Sequence, residues 1–219
     1  MLDRVFSYIA PHSCCSCGDL GAIICDSCKN DIAHERFERC IGCLVPAPES
    51  LCQQCRQSFG IDSALCLGER TGALRGLLDA YKFRSSKEVA RHIVDLLDSC
   101  APYYTETTVT QAPTAPQHQR VRGFDHVNLF ARDFAARRSL PYQQLLQQTS
   151  RDTQHFKTKK ERLKAAGASI ASRKKAPECV VLVDDIMTTG ATVKACAQRL
   201  REAGARRIDL VIVARQMPK

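Results

Sequence analysis

The chain has 219 residues, 44% of them apolar and 25% charged, which suits one sizeable domain with a small appendage, or two domains. No apolar run approaches the length of a membrane span, which argues against membrane insertion. The N-terminal "MLDRVFSYIAPHSCC" has only a short apolar patch and an early Asp3, so it does not fit a secretory signal; the expected setting is the cytoplasm, where thiols stay reduced.

The net charge of +9 is unevenly spread. Residues 1–60 carry five Lys/Arg against seven Asp/Glu, a net of −2. Residues 151–175 carry nine against two, a net of +7, and such a segment attracts nucleic acid, phosphometabolites or a membrane surface.

The cysteines come first in chain order. Of thirteen, eight form four C-x-x-C pairs: Cys14/Cys17, Cys25/Cys28, Cys40/Cys43 and Cys52/Cys55. Two thiolates at this spacing turn a knuckle around one metal, and two knuckles complete a tetrahedron, so eight ligands predict two zinc ions. Spacing alone allows a sequential partition (Cys14/17/25/28, then Cys40/43/52/55) and a cross-braced one (first pair with third, second with fourth). Cys15, inside the first knuckle, reads as a bystander. Four sulfur ligands leave no open position, so the metals are expected to be structural and residues 1–60 to form a zinc-binding brace or docking module. Its acidic balance argues against a grip on nucleic acid.

From residue 61 the composition changes. "SALCLGERTG" predicts a short strand with a turn at Gly72, and "LRGLLDAYKF" carries an apolar face. "SSKEVARHIVDLLDSC" predicts a helix, with Ser85 and Glu88 at capping-box spacing and Val89, Ile93, Leu96 and Leu97 on one stripe. "TVTQAPTAPQHQRVRG" is Pro-rich and polar, and reads poorly as a buried strand. "GFDHVNLFARDFAARR" returns to the helical pattern with Val127, Phe130 and Phe134. The chain ends strand–helix–strand: "CVVLV", then "ATVKACAQRLREAG" with Val193, Cys196, Ala197, Leu200 and Ala203 facing inward and Gly204 as the stop, then "RRIDLVIVAR". That is a βαβ unit of a parallel sheet. Cys66, Cys100, Cys179 and Cys196 fall on apolar stretches and are expected to be buried thiols.

The stretch "VVLVDDIMTTGAT", residues 180–192, carries the chemistry. In open α/β sheets the ligand lies beyond the carboxyl ends of the strands. Asp184 and Asp185 are expected there, at the sheet edge rather than in the core, as acceptors for paired hydroxyls such as a ribose diol. Thr188, Thr189, Gly190, Ala191 and Thr192 lead into the helix, whose first turn leaves backbone N–H groups unpaired in a positive dipole field. Gly190 lets the backbone come close to a ligand, and the threonine hydroxyls add donors. A diol binder beside a phosphate cradle describes a site for a ribose 5-phosphate.

The same thirteen residues closely resemble the phosphoribosyl pyrophosphate (PRPP) loop of type I phosphoribosyltransferases. The C-x-x-C series, "LRGLLDAYKFRSSKEVA", "RVRGFDHVNLFA" and "TQHFKTKKERLKAA" follow in order the pattern of the ComF/GntX family, over nearly the whole chain. The resemblance implies a parallel-sheet α/β domain of the type I phosphoribosyltransferase kind over residues 61–219, preceded by the zinc-binding module. It implies that Asp184 and Asp185 hold the ribose hydroxyls and that residues 188–192 bind the 5-phosphate. It also implies that magnesium and basic side chains take the charge of departing pyrophosphate. Lys82 and Arg84, then Arg120 and Arg122, are the candidates for that side. Members of the family are linked to natural competence, which brings single-stranded DNA and competence proteins in as partners. The chain departs from the family pattern at Gly123-Phe124-Asp125-His126, where the usual residues are Gly-Phe-Asn-Gln, and at "TQAPTAP", where an apolar Val-Pro-Val-Pro-Leu is usual.

Each of these residues also has a plainer reading. Lys82 and Arg84 suit a solvated face, His126 and His155 read as surface polar residues, and "KTKKERLK" suits an exposed basic helix or mobile loop, a lid over PRPP or a nucleic-acid patch. Three function classes follow: transfer of phosphoribose to an unidentified acceptor, DNA handling on a phosphoribosyltransferase fold, and PRPP sensing. The acidic pair favours the first and third, because DNA contacts alone need no diol binder. Phe156 is the one aromatic in the basic segment, which argues against a base-stacking platform.

Overall fold

The computed structural model describes residues 12–35, 37–84, 87–114, 125–149 and 169–218. The N-terminal part is one small motif used twice. An isolated antiparallel bridge (Ser13 with Leu20, then Arg39 with Pro46) holds the first knuckle of each unit. A short helix follows: α1 (Asp26–His34) in the first unit and α2 (Gln53–Phe59) in the second. Each helix is entered through a cysteine, Cys25 or Cys52, in extended conformation at the N-cap. The third sulfur of each set therefore sits at a helix N-terminus and the fourth in its first turn, where the dipole favours thiolate.

β1 (Ser63–Glu69), α3 (Gly72–Arg84) and α4 (Lys87–Cys100) follow, then β2 (Thr108–Gln111) and α5 (His126–Arg137). A hairpin of β3 (Leu146–Gln148) and β4 (Ile170–Ser172) precedes the final β5 (Cys179–Met187), α6 (Ala191–Glu202) and β6 (Arg207–Arg215). The four long-range strands form one parallel sheet in the order β1–β6–β5–β2. The expected βαβ unit supplies its two central strands. Gly204, at φ +112°, ends α6 as the sequence suggests.

Two strand features differ from expectation. β2 is a fully buried edge strand although it reads Thr-Val-Thr-Gln. Its β-branched residues suit the pleat, and its polar groups have partners. Thr110 Oγ1 accepts from the Leu145 N–H at 3.1 Å, and Gln111 Nε2 donates to Asp125 at 3.1 Å. β5 runs four residues beyond "CVVLV", so the two aspartates lie within the strand rather than after it.

Alternation along β5 and β6 divides the core in two. Val181, Val183, Val211 and Val213 face α3, α4 and α5, while Val180, Leu182, Leu210 and Ile212 face α6 and the hairpin. The first cysteine unit joins the former layer through Cys14, Ile24, Cys28 and Ile32. The second joins the latter through Cys40, Ile41, Leu51 and Cys55. The two units thus lie on opposite faces of the sheet, on either side of edge strand β1. Of the four thiols expected to be buried, Cys66 and Cys196 are; Cys179 is half-buried at the start of its strand, and Cys100 is exposed because it ends the outer face of α4. No helix among the described residues is long and apolar enough to cross a membrane.

Candidate functional site

The eight cysteines gather into two sets, Cys14/Cys17/Cys25/Cys28 and Cys40/Cys43/Cys52/Cys55, with the sulfurs of each set within 4.8 Å of one another. The pairing is sequential, not cross-braced. Cys17 and Cys25 Sγ lie 3.6 Å apart, as do Cys43 and Cys52. A tetrahedron with Zn–S of about 2.3 Å has edges of about 3.8 Å, so both sets fit zinc closely. Burial would raise the thiols of Cys14 and Cys40. Backbone N–H groups aimed at the sulfurs, from Cys25 for Cys14 and from Cys52 for Cys40, outweigh it and bring both down to about 6. Four sulfurs close each coordination sphere, so these sites suit structural metal.

The second site is a cleft of about 440 Å³ at the carboxyl end of the sheet, lined among others by Arg70, Lys82, Thr114, His126, Asp184, Asp185, Thr188 and Thr192. Asp184 and Asp185 are buried, each with 9% of its surface exposed, which corrects their expected place at an open edge. They sit in the last turn of pleat before the loop, where α3 and α5 close over β5. Asp185 Oδ2 is 2.7 Å from Lys82 Nζ and 2.9 Å from His126 Nε2, while Oδ1 accepts from the Ile186 N–H at 2.7 Å. An ionised carboxylate only accepts, so His126 Nε2 carries the shared hydrogen. Asp184 accepts the Asp185 N–H at 2.9 Å.

The two carboxyls are therefore driven apart. Burial, then the charge of Asp185, push Asp184 well above the usual carboxylate range. Burial acts upward on Asp185 too, but the His126 hydrogen bond and the Lys82 ammonium outweigh it and hold Asp185 well below that range. The negative charge of the pair is thereby concentrated on Asp185, against Lys82.

His126 is 2% exposed, which overturns its reading as a surface residue. It opens α5, and the Tyr81 hydroxyl holds its carbonyl at 2.5 Å. Asp125 explains the departure beside it: as N-cap it accepts the Asn128 N–H at 3.1 Å and the Thr114 hydroxyl at 2.9 Å, tying α5 to the end of β2.

The loop 188–192 borders the acidic pair as expected, with Thr188 and Thr192 in the cleft wall. Thr189 Oγ1 lies 3.4 Å from the Ala191 N–H. Gly190 caps α6 at φ +76°. A Cβ there would come 2.5 Å from Met187 Cε and 2.6 Å from Phe59 Cε1. The space a side chain would need is thus filled by protein. Glycine is required here for packing and for its left-handed backbone.

Of the basic candidates, Lys82 reaches the cleft, on Asp185. The side chain of Arg84, all of Arg120 and Arg122, and most of the 151–175 segment with His155 lie outside the described residues. Arg70 is a cleft residue that sequence reasoning missed. It follows β1 directly, donates to Asp79 at 2.6 Å and to Gln216 at 3.2 Å, and keeps a buried Nε with no acceptor among the described residues. Its signal was available: a cation at the carboxyl end of a predicted strand. A second hollow of about 460 Å³ is lined by Glu35, Glu38, Glu69 and Arg39, an acidic balance that disfavours phosphates.

Comparison with known proteins gives matches to the C-terminal part and to most of the chain. Residues 129–219, from within α5 to the C-terminus, match the phosphoribosyl transferase domain. The chain is 24% identical over 197 residues to competence protein ComFC of Streptococcus pneumoniae, covering 88% of this chain and 87% of that one. The chain is thus similar to a competence protein along most of its length and to the phosphoribosyl transferase domain over its C-terminal part. Hypoxanthine phosphoribosyltransferases from Staphylococcus aureus (TM-score 0.38, 14% identity, 61% of this chain and 76% of that one) and Trypanosoma cruzi (TM-score 0.31, 14%, 61% and 69%) are among the solved structures matched. The match to that competence protein covers 88% of the chain, whereas the domain match begins only within α5.

Proposed function

We propose that this protein binds PRPP in the cleft between Asp184/Asp185 and the 188–192 loop, and transfers its phosphoribosyl group to an acceptor. The observation that carries this reading is the buried carboxyl pair, with Asp185 on Lys82 and His126, set directly against a helix-initiating loop. Burial favours the proton on Asp184, which can then donate as well as accept, and Asp185 accepts; together they match two adjacent ribose hydroxyls. The loop N–H groups and the α6 dipole suit the 5-phosphate. Lys82 and Arg70 line the same cleft and suit the pyrophosphate. Bound magnesium would supply further positive charge to the leaving group. Lys82 then has two partners: it holds Asp185 when the cleft is empty, and pyrophosphate competes for it when PRPP enters. The metal sites and their reduced thiols suit a cytoplasmic setting.

Calorimetry of the full chain with PRPP and magnesium tests this. Saturable binding is expected, stronger for PRPP than for ribose 5-phosphate, followed by base-dependent pyrophosphate release in a screen of acceptors. No heat and no competition by ribose 5-phosphate would refute it. A second reading, DNA handling without transfer, takes its support from the relative's designation as a competence protein and from the +7 charge of residues 151–175.

A further inference from the structure

Arg215 ends β6 with 4% of its surface exposed. Its Nε donates to the Ile41 carbonyl at 2.6 Å, inside the Cys40–Cys43 knuckle. Its Nη1 donates to the Met187 carbonyl at 3.1 Å and also to the carbonyls of Thr188 and Gln216. Among the described residues no carboxylate pairs with it. The buried guanidinium is held by neutral carbonyls directly beneath the 188–192 loop, with the Cys66 and Cys40 sulfurs as its neighbours of opposite charge.

The bonding also sets direction. In a trans peptide the carbonyl and the following N–H point opposite ways. Drawing the Met187 and Thr188 carbonyls inward to Arg215 turns the N–H groups of Thr188 and Thr189 outward, toward the loop's other side. A second link runs beside the first. The Phe59 ring lies where a Cβ on Gly42 would be 2.5 Å from Cε2 and a Cβ on Gly190 2.6 Å from Cε1. One ring thus fills the space between the metal knuckle and the cap of α6.

We propose that Arg215 and Phe59 are positioning residues of the phosphate loop, and that through them the second four-cysteine site, once it holds its metal, fixes the loop for a 5-phosphate. The inference rests on the PRPP reading for its ligand, but not for its mechanical link. Loss of the metal frees the Ile41 carbonyl and the Phe59 seat together, and the loop loses both supports.

The test uses the full chain. Cys43 is exposed, so Cys43→Ser disturbs coordination without touching the core. Elemental analysis should fall from two zinc ions to one, and amide hydrogen exchange at 188–192 should quicken at least tenfold while residues 180–183 stay protected. Arg215→Lys should retain both zinc ions yet give the same exchange. It should weaken ribose 5-phosphate at least tenfold and leave magnesium pyrophosphate within twofold, a split that general destabilisation would not produce. Phe59→Leu serves if Arg215→Lys fails to fold. Unchanged exchange at 188–192 in Cys43→Ser and in the folded bridging variant would overturn the link. So would an equal response to Cys17→Ser in the other cluster. If the parent binds no ribose 5-phosphate, the PRPP reading fails, and the exchange data still decide the link.

Discussion

Replacing each aspartate of the cleft by asparagine should have very different consequences for stability, although the two side chains are neighbours. Asp184 is driven toward its neutral form by burial and by Asp185. Asparagine is a near copy of a neutral aspartic acid, so Asp184→Asn should cost less than about 1 kcal/mol. Asp185 is ionised and holds Lys82 at 2.7 Å and His126 at 2.9 Å, with the Lys82 side chain only 13% exposed. Asp185→Asn strands that ammonium in a buried setting, a change that costs about 3–5 kcal/mol. For a chain of this size that corresponds to a melting shift on the order of 10 °C. The signs of the pH dependence also differ. The raised Asp184 favours the unfolded state increasingly as pH rises above 3.8 toward its folded value, and Asp184→Asn should remove that slope. The depressed Asp185 contributes stability that is present above 3.8 and lost as pH falls through its folded value, and Asp185→Asn should remove that one. Thermal denaturation of zinc-loaded protein across pH 4–8 reads the Asp184 slope directly, while the Asp185 contribution is constant over that range and shows as the size of the Asp185→Asn shift. Equal shifts for the two variants, or a larger one for Asp184→Asn, would refute the assignment of the single charge to Asp185. Ribose 5-phosphate binding should weaken at least tenfold in Asp185→Asn, which loses a charged acceptor worth about 1.5–3 kcal/mol, and by less in Asp184→Asn, which keeps a donor and an acceptor.

Other expectations follow from the same contacts. Purified protein should hold two zinc ions per chain, and chelation should expose the amides of residues 12–60 to exchange before those of 180–183; no zinc, with the eight thiols paired as disulfides, would contradict it. Gly190→Ala should destabilise by about 2 kcal/mol or more, from left-handed strain and overpacking, and a double-mutant cycle with Phe59→Ala should recover part of that loss; strict additivity would show that the ring does not press on this position. Any single-stranded DNA binding should be steeply salt-dependent and should flatten when Lys157, Lys159, Lys160 and Lys164 are neutralised, and an unchanged slope would remove the basic segment from that role.

The parts of this molecule with a strong local pattern were legible in its sequence. The C-x-x-C spacing announced the metal sets because knuckle geometry is local, while their pairing needed the fold. The apolar runs of β5 and β6 announced a parallel βαβ unit because strands buried on both faces leave no room for alternation. β2 was hidden because Thr108, Thr110 and Gln111 are polar in isolation and become suitable only when Leu145, Asp125 and Tyr142 arrive from later in the chain. His126 was misread for the same reason: nothing local says that its ring will meet a carboxylate 59 residues on. The role of Arg215 has no local signal, since its partners at Ile41 and Thr188 are brought together only by the finished sheet.

β1 is translated immediately after the two cysteine units, yet its strand partner, β6, lies some 146 positions later, as in the register of Ser63 with Asp209. On the ribosome both metal units can close from local sequence alone while β1 still waits for a neighbour. A bare strand with an apolar centre is an aggregation hazard during that interval. With a metal-stapled unit ready to settle on either side of it, β1 has a partly built housing before the sheet exists. The zinc supply at the moment of synthesis would then govern how much of this protein reaches its native state, separately from any effect on the finished molecule.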